Sequence, residues 1–419
     1  MTITPYTVAL RDETIQDKPS FTMVRSAVPY DSNNSRTCLF VRARQSDGKA
    51  GVDVWDIADP PMAHVNLKAT LNKVPFQDKL FLYSLGAIDT GQYIDFPVIM
   101  MGPSDKAIAA ILRPFGTPKI VEKNPLGVSA LHPGIGIYAR PEANPLLGSG
   151  FYVSDSTYVY LVRARTGLLD LVGHIKPPIS GTIVTRPTDN LEQGAPQAGS
   201  SRTATLVRRT DDWQLFLVCD PETGYTNLFG PFEPSMIPVA PVSVLRFGQS
   251  SADVCLIMYF RTADSDQYNI TLFCAPNHMY VSAAANFPVT PLINPVASGP
   301  YVYFVGTDMQ TIQIVFAARD GDFWDISYPW GPNGKPMPGV IVGQPCLGAN
   351  GELIVTYDGR SSLRPSGCLA IGTDGTIKWT HEPAGCWPLT AAIFSQGWIG
   401  FFGATAQRKP FVDLFANPG

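Results

Sequence analysis

Residues 368–385 read CLAIGTDGTIKWTHEPAG: an apolar run, a Thr-Asp-Gly turn, a short run carrying Trp379, then Pro and Gly. Two short apolar segments around a Gly-containing turn form a hairpin signature. What decides the fold is whether this hairpin stands alone or recurs. It recurs. Residues 312–326 (IQIVFAARDGDFWDI) place an apolar run before Asp320-Gly321 and then Trp324, and residues 39–57 (LFVRARQSDGKAGVDVWDI) end on the same Trp-Asp-Ile after Asp47-Gly48. TGLLDLVG (166–173) and TGYTNLFG (223–230) share Thr-Gly, Leu and Gly at matching offsets, each after a strand-like run. Weaker copies surround Pro103-Ser104-Asp105 and Pro276-Asn277.

Anchored on their turns, the copies fall near 47, 105, 166, 223, 276, 320 and 374, with spacings of 44 to 61 residues. Two more strand-like runs precede most anchors, so each unit holds four short strands. A repeat near 50 residues with four strands predicts an all-β β-propeller of four-stranded blades, seven by the anchors, in a single domain over 1–419. A four-stranded meander hides a face only by stacking on a neighbour, so copies must accumulate. The segments TAAIF, GWIGFFG and PFVDLF after Asp374 supply three further strands. They either close the ring with N-terminal strands such as TPYTVAL or form an eighth blade completed by the N-terminus. Both arrangements pair the chain ends, because an unpaired edge invites association. The alternation in LFVRAR, YLVRAR and TATLVRR suits strands with one face packed and the other in water. The best helical candidate, Lys106 to Arg113, can equally be a strand.

The unit CLAIGTDGTIKW resembles a blade of the quinoprotein-type propellers, in which a strand ending near Ala, a Gly turn and a Trp recur. The resemblance implies the propeller fold and brings no cofactor site with it. The adjacent cysteine pair typical of quinoprotein alcohol dehydrogenases is absent from the sequence.

Composition narrows the function. Charged residues are 16% of the chain, net charge is −4, and no basic stripe is present. Sequence-specific nucleic-acid binding is therefore not expected. The N-terminus MTITPYTVALRDET carries neither a basic start nor an apolar h-region, so the expectation is cytoplasmic synthesis without a signal peptide. No apolar run approaches the roughly 18 residues of a membrane helix, so no membrane insertion is expected. Seven cysteines (Cys38, Cys219, Cys255, Cys274, Cys346, Cys368, Cys386) form no CxxC pair, and all are expected as free thiols.

No GxSxG, HExxH, phosphate-loop or GxGxxG motif occurs, and no two of the five histidines (His64, His132, His174, His278, His381) lie within four residues. The Asp-Gly pairs at 47, 320, 358 and 374 read as type I′ hairpin turns rather than calcium loops. Residues 264–269 (DSDQYN) lack the Gly and closing Glu of a calcium loop and read as a hairpin tip. Trp55, Trp324 and Trp379 read as equivalent packing residues between blades. No catalytic, cofactor-binding or metal residue is assigned, and no cofactor is expected.

These features point to a non-enzymatic structural propeller in a large homo-oligomeric assembly. Its partners would be other copies of itself and other virion proteins, as in a bacteriophage tail nozzle or tail-associated protein. The contact regions expected are the segments outside the blade pattern: Pro114–Gly127, Tyr328–Gly339 and the tail from Phe411. The alternative classes are a propeller enzyme, whether quinoprotein-like dehydrogenase or carbohydrate-active hydrolase, and a cytoplasmic protein-interaction scaffold.

Overall fold

The computed structural model describes the backbone of residues 92–101, 107–125, 150–165, 168–188, 203–220, 224–232, 295–320, 323–342, 350–393, 398–407 and 409–418, and the side chains of most of them. Elsewhere it describes the strands and a few flanking residues. The described chain divides into two compact units. The first comprises Met1–Leu126, Thr166–Leu168 and Met337–Gly419. The second comprises Gly127–Arg165 and Leu169–Pro336.

The first unit holds four antiparallel sheets. One orders β2 (Ala27–Pro29), β3 (Arg36–Arg44), β4 (Ala50–Ala58) and β5 (Val65–Asn72) side by side. A second orders β6 (Phe81–Ser84), β8 (Ile94–Met101), β9 (Ala107–Arg113) and β10 (Lys119–Pro125), with β7 (Ile88–Asp89) also on β8. A third orders β29 (Val340–Ile341), β31 (Leu353–Asp358), β32 (Gly367–Ile371) and β33 (Ile377–His381), with β30 (Cys346–Leu347) also on β31. The fourth combines β34 (Trp387–Ile393), β35 (Trp398–Ala404), β36 (Pro410–Ala416) and β1 (Tyr6–Ala9).

The second unit holds four more. β11 (Gly136–Tyr138), β12 (Gly150–Ser154), β13 (Val159–Arg165) and β14 (Leu168–Ile175) form one, and β15 (Thr182–Ile183), β16 (Thr203–Arg208), β17 (Trp213–Asp220) and β18 (Tyr225–Phe232) the next. β19 (Met236–Pro238), β21 (Val254–Thr262), β22 (Tyr268–Cys274) and β23 (Met279–Ala285) follow, with β20 (Ser243–Arg246) also on β21. The last orders β24 (Val296–Ser298), β25 (Tyr301–Val305), β26 (Thr311–Asp320) and β27 (Phe323–Ser327), with β28 (Lys335–Pro336) also on β26.

The opening stretch is β32 and β33, the third and fourth strands of their sheet. The turns near 166, 223, 276 and 320 likewise join third to fourth strands, whereas those near 47 and 105 join second to third. Trp55 therefore sits on a third strand and Trp324 and Trp379 on fourth strands, so the three tryptophans are not equivalent. Among the described residues there are eight sheets, four of four strands and four of five, where the anchors count seven. The extra one has no Asp-Gly turn and is completed by β1, through Tyr6↔Leu414, Thr7↔Asp413, Val8↔Val412 and Ala9↔Phe411. The expected pairing of the chain ends is present.

Packing follows the pleat. Along β17, Trp213, Leu215 and Leu217 join a core with Ala204, Leu206, Met258 and Phe260, while Phe216 and Val218 join another with Tyr152, Leu161 and Ile175. Alternate residues thus enter opposite layers, and the middle sheets of the second unit are covered on both faces. The expectation of one wet face fails there. Arg163, in the second VRAR stretch, is only 4% exposed. A third layer joins Tyr259 and Ile270 to Val302, Phe304, Val315 and Ala317. In the first unit Ile354, Cys368, Ala370 and Trp379 pack on Ile399, Phe401, Phe411 and Phe415.

One local reading changes. Gly375 has φ 76°, Gly375 N–H donates to the Gly372 carbonyl and Gly372 N–H to that of Thr376. Asp374 is not among the residues with positive φ, so this is a type I turn followed by a left-handed glycine bulge, not a type I′ turn. The three expected contact segments fall partly on strands. Lys119–Pro125 is β10, the tail is β36, and the Gln313 amide holds the Tyr328–Gly339 segment through the carbonyls of Gly331 and Pro332, at 2.8 and 3.1 Å. Among the described residues no helix is long and apolar enough to cross a membrane.

Candidate functional site

Strands β31 and β32 are joined by Gly359–Ser366, whose conformation is fixed residue by residue. Asp358 ends β31 and grips Arg360: its Oδ1 accepts from the Arg360 backbone N–H at 3.0 Å and Nε at 2.9 Å, and its Oδ2 from Nη2 at 2.5 Å. The Ser366 hydroxyl donates to Asp358 Oδ1 at 3.1 Å and accepts from Gly359 N–H at 3.0 Å, closing the loop at its base. Ser362, Leu363 and Arg364 N–H groups donate back to the carbonyls of Gly359, Arg360 and Gly359 in turn. A Cβ on Gly359 would lie 2.1 Å from the Pro365 carbonyl oxygen, so the loop closes only over glycine. The Arg360 guanidinium stacks 4.1 Å above the Trp387 ring.

At the tip stands Leu363, 98% exposed, with φ 56°. A left-handed leucine is unfavourable by roughly 1–2 kcal/mol, and it persists here because the clamp over-determines the turn. The Arg360 hydrogen bonds hold the Asp358 carboxyl below its ordinary value, against the opposing effect of burial. A depressed carboxylate stabilises the fold above its unfolded value and loses that contribution as pH falls through its folded value. The clamp is therefore closed at neutral pH.

Beneath this loop is a buried polar layer. His381 Nε2 lies 2.7 Å from Asp413 Oδ2, with the ring against Phe401 and Phe415. Cys368 is the register partner of His381, and Cys386 and Cys346 belong to the same core. Cysteine, histidine and aspartate together suggest an activated nucleophile, yet the electrostatics run the other way. Burial pushes the Cys346 thiol up to about 12, helped by Glu352, and Cys386 up to about 12, helped by Asp413; Cys368 is likewise raised. A reactive thiol needs the opposite environment. At pH 8 the thiolate fraction should fall about a thousandfold relative to a free thiol at 9. Iodoacetamide labelling of these three cysteines should then be slow in native protein and fast in urea, and comparable rates would contradict the burial.

The other residues singled out in the sequence do not converge on this site. His132 Nε2 is 2.8 Å from the Ile183 carbonyl oxygen, and His174 is exposed beside Tyr158. His64, His278, most of the 264–269 hairpin and the Asp47-Gly48 turn lie outside the described residues. Cys38, Cys346, Cys368 and Cys386 are not disulfide-bonded to one another; the side chains of the other three cysteines lie outside the described residues. Asp358-Gly359, read as a hairpin turn, instead opens the clamp. Among the described residues no group of three or more His, Cys, Asp or Glu could hold a metal ion.

No protein-family model and no curated protein matches the sequence. Solved structures do match. The chain superposes on the Dos1 propeller with a TM-score of 0.54 at 7% identity, covering 99% of this chain and 95% of that one. The BP39L lectin from Burkholderia pseudomallei (TM-score 0.47, 13% identity, 94% and 95% covered) and an oligogalacturonate lyase in complex with manganese (0.44, 10%, 91% and 96%) also match, too distantly to carry an argument. The sheets and the Dos1 likeness together define a β-propeller fold.

Proposed function

We propose that this chain is a non-enzymatic structural β-propeller acting as one subunit of a large homo-oligomeric assembly, a virion component such as a bacteriophage tail nozzle or tail-associated protein. The clamped loop carries the reading. A rigid turn that leaves a leucine fully in solvent between Arg360 and Arg364 is pre-organised for contact, since its ordering cost is met before a partner arrives. The partner surface is a second copy. With Arg360 paired to Asp358, Arg364 gives this apolar knob a positive charge, on a chain of net charge −4. The low charged fraction, 16%, is in keeping with surface covered by neighbouring subunits.

Native mass spectrometry tests the reading. Wild-type protein should give a multiple of the 45.4 kDa chain mass, and Leu363→Glu should shift the population to monomer while the thermal midpoint stays put. A wild-type chain that remains monomeric at high concentration would overturn the proposal.

A further inference from the structure

We propose that Cys255 and Cys274 form a reversible cross-strand disulfide, a modification site that the backbone register itself writes into the fold. They are Cα partners on β21 and β22, at the last rung of that ladder. Directly opposed residues of an antiparallel pair have Cα atoms about 4.5 or 5.5 Å apart according to the rung, and both values fall within the roughly 4.4–6.8 Å that a disulfide spans. Opposed residues also share a face. Four residues along each strand on that face stand Tyr259 and Ile270, themselves register partners and both in the layer against Val302 and Phe304. Leu245 of β20 and Met279 of β23 extend the row on either side, so the pair is flanked by apolar positions without another cysteine.

The bond forms by exchange with a low-molecular-weight disulfide, RSSR. One cysteine, as thiolate, attacks a sulfur of RSSR and expels RS⁻, leaving a mixed disulfide on the protein. The second thiolate attacks the protein-bound sulfur and expels the second RS⁻. Two protein thiols are oxidised, RSSR is reduced to two RSH, and the protons lost by the cysteines end on the released thiols. The terminal rung is where a ladder opens most readily, which admits the reagent. In a reducing compartment both positions stay thiols, as expected from the sequence; a rise in disulfide closes them.

The test uses the full chain and oxidised glutathione as RSSR. After incubation, acid quench, alkylation without reductant and digestion, both cysteines should vanish from the alkylated pool and appear as one Cys255–Cys274 linked peptide that a phosphine reductant abolishes. Cys274→Ser should leave Cys255 as a stable glutathione adduct. Cys368, in the core, should stay unmodified in the native protein and so report that the fold is intact. Independent glutathionylation of Cys255 and Cys274 without a linked peptide, or links distributed among other pairs while Cys368 remains protected, would overturn the proposal.

Discussion

Trp379→Ala should lower the unfolding free energy by about 3–5 kcal/mol. Trp379 is 4% exposed and sits in the layer where β33 meets the terminal sheet, its ring edge-on to Phe415 at 5.5 Å. Its Nε1–H donates to Asn417 Oδ1 at 3.1 Å, and the Asn417 amide in turn donates to buried Glu352. Truncation opens a cavity and strands one link of this relay, so two losses combine. Trp379→Phe, which retains much of the ring, should cost less than half as much. Urea denaturation reads both, and a loss below about 1 kcal/mol for the alanine variant would mean that the layer collapses around the gap.

An equal effect, from a different cause, is expected at Asp95. This carboxylate is fully buried on β8 and receives Arg113 Nε at 2.6 Å and Nη2 at 2.7 Å from β9, while the guanidinium lies 4.0 Å from the Tyr93 ring. The hydrogen bond from Arg113 raises that guanidinium's own proton affinity further. Asp95→Ala would leave a nearly buried cation without its carboxylate, at about 3–5 kcal/mol. The double variant Asp95→Leu/Arg113→Met removes both charges and should recover most of the loss. A double variant as unstable as Asp95→Ala would show that packing around the pair, rather than the stranded charge, sets the energy.

How much of this was legible beforehand depends on distance along the chain. The hairpin of β32 and β33 is local, and its apolar runs, turn and Trp announce it. An Asp-bearing turn, however, marks any tight reversal and not a particular one. The anchors at 47 and 105 therefore caught the second-to-third hairpin, and Trp55 was aligned with tryptophans one strand away. The sheet of β34 to β36 carries no Asp-Gly turn, and its fourth strand comes from the other end of the chain, which no local pattern can show. Alternation likewise reveals which residues share a face but not what covers it, and Arg163 is the casualty. At the candidate site, Gly359 and Ser366 are local signals of a closed loop; that Leu363 would face solvent depends on the clamp beneath it. His381 and Asp413 meet across two sheets, 32 residues apart in sequence.

The union of β1 with β36 also has a mechanical reading. The strands run antiparallel, with Tyr6 opposite Leu414 and Ala9 opposite Phe411. The segments leading into β1 and out of β36 thus emerge at the same end of the sheet. A load applied between them falls on one rung at a time, peeling the pair like a zipper instead of shearing all its hydrogen bonds together. Tension along such tethers would release the N-terminal strand at low force.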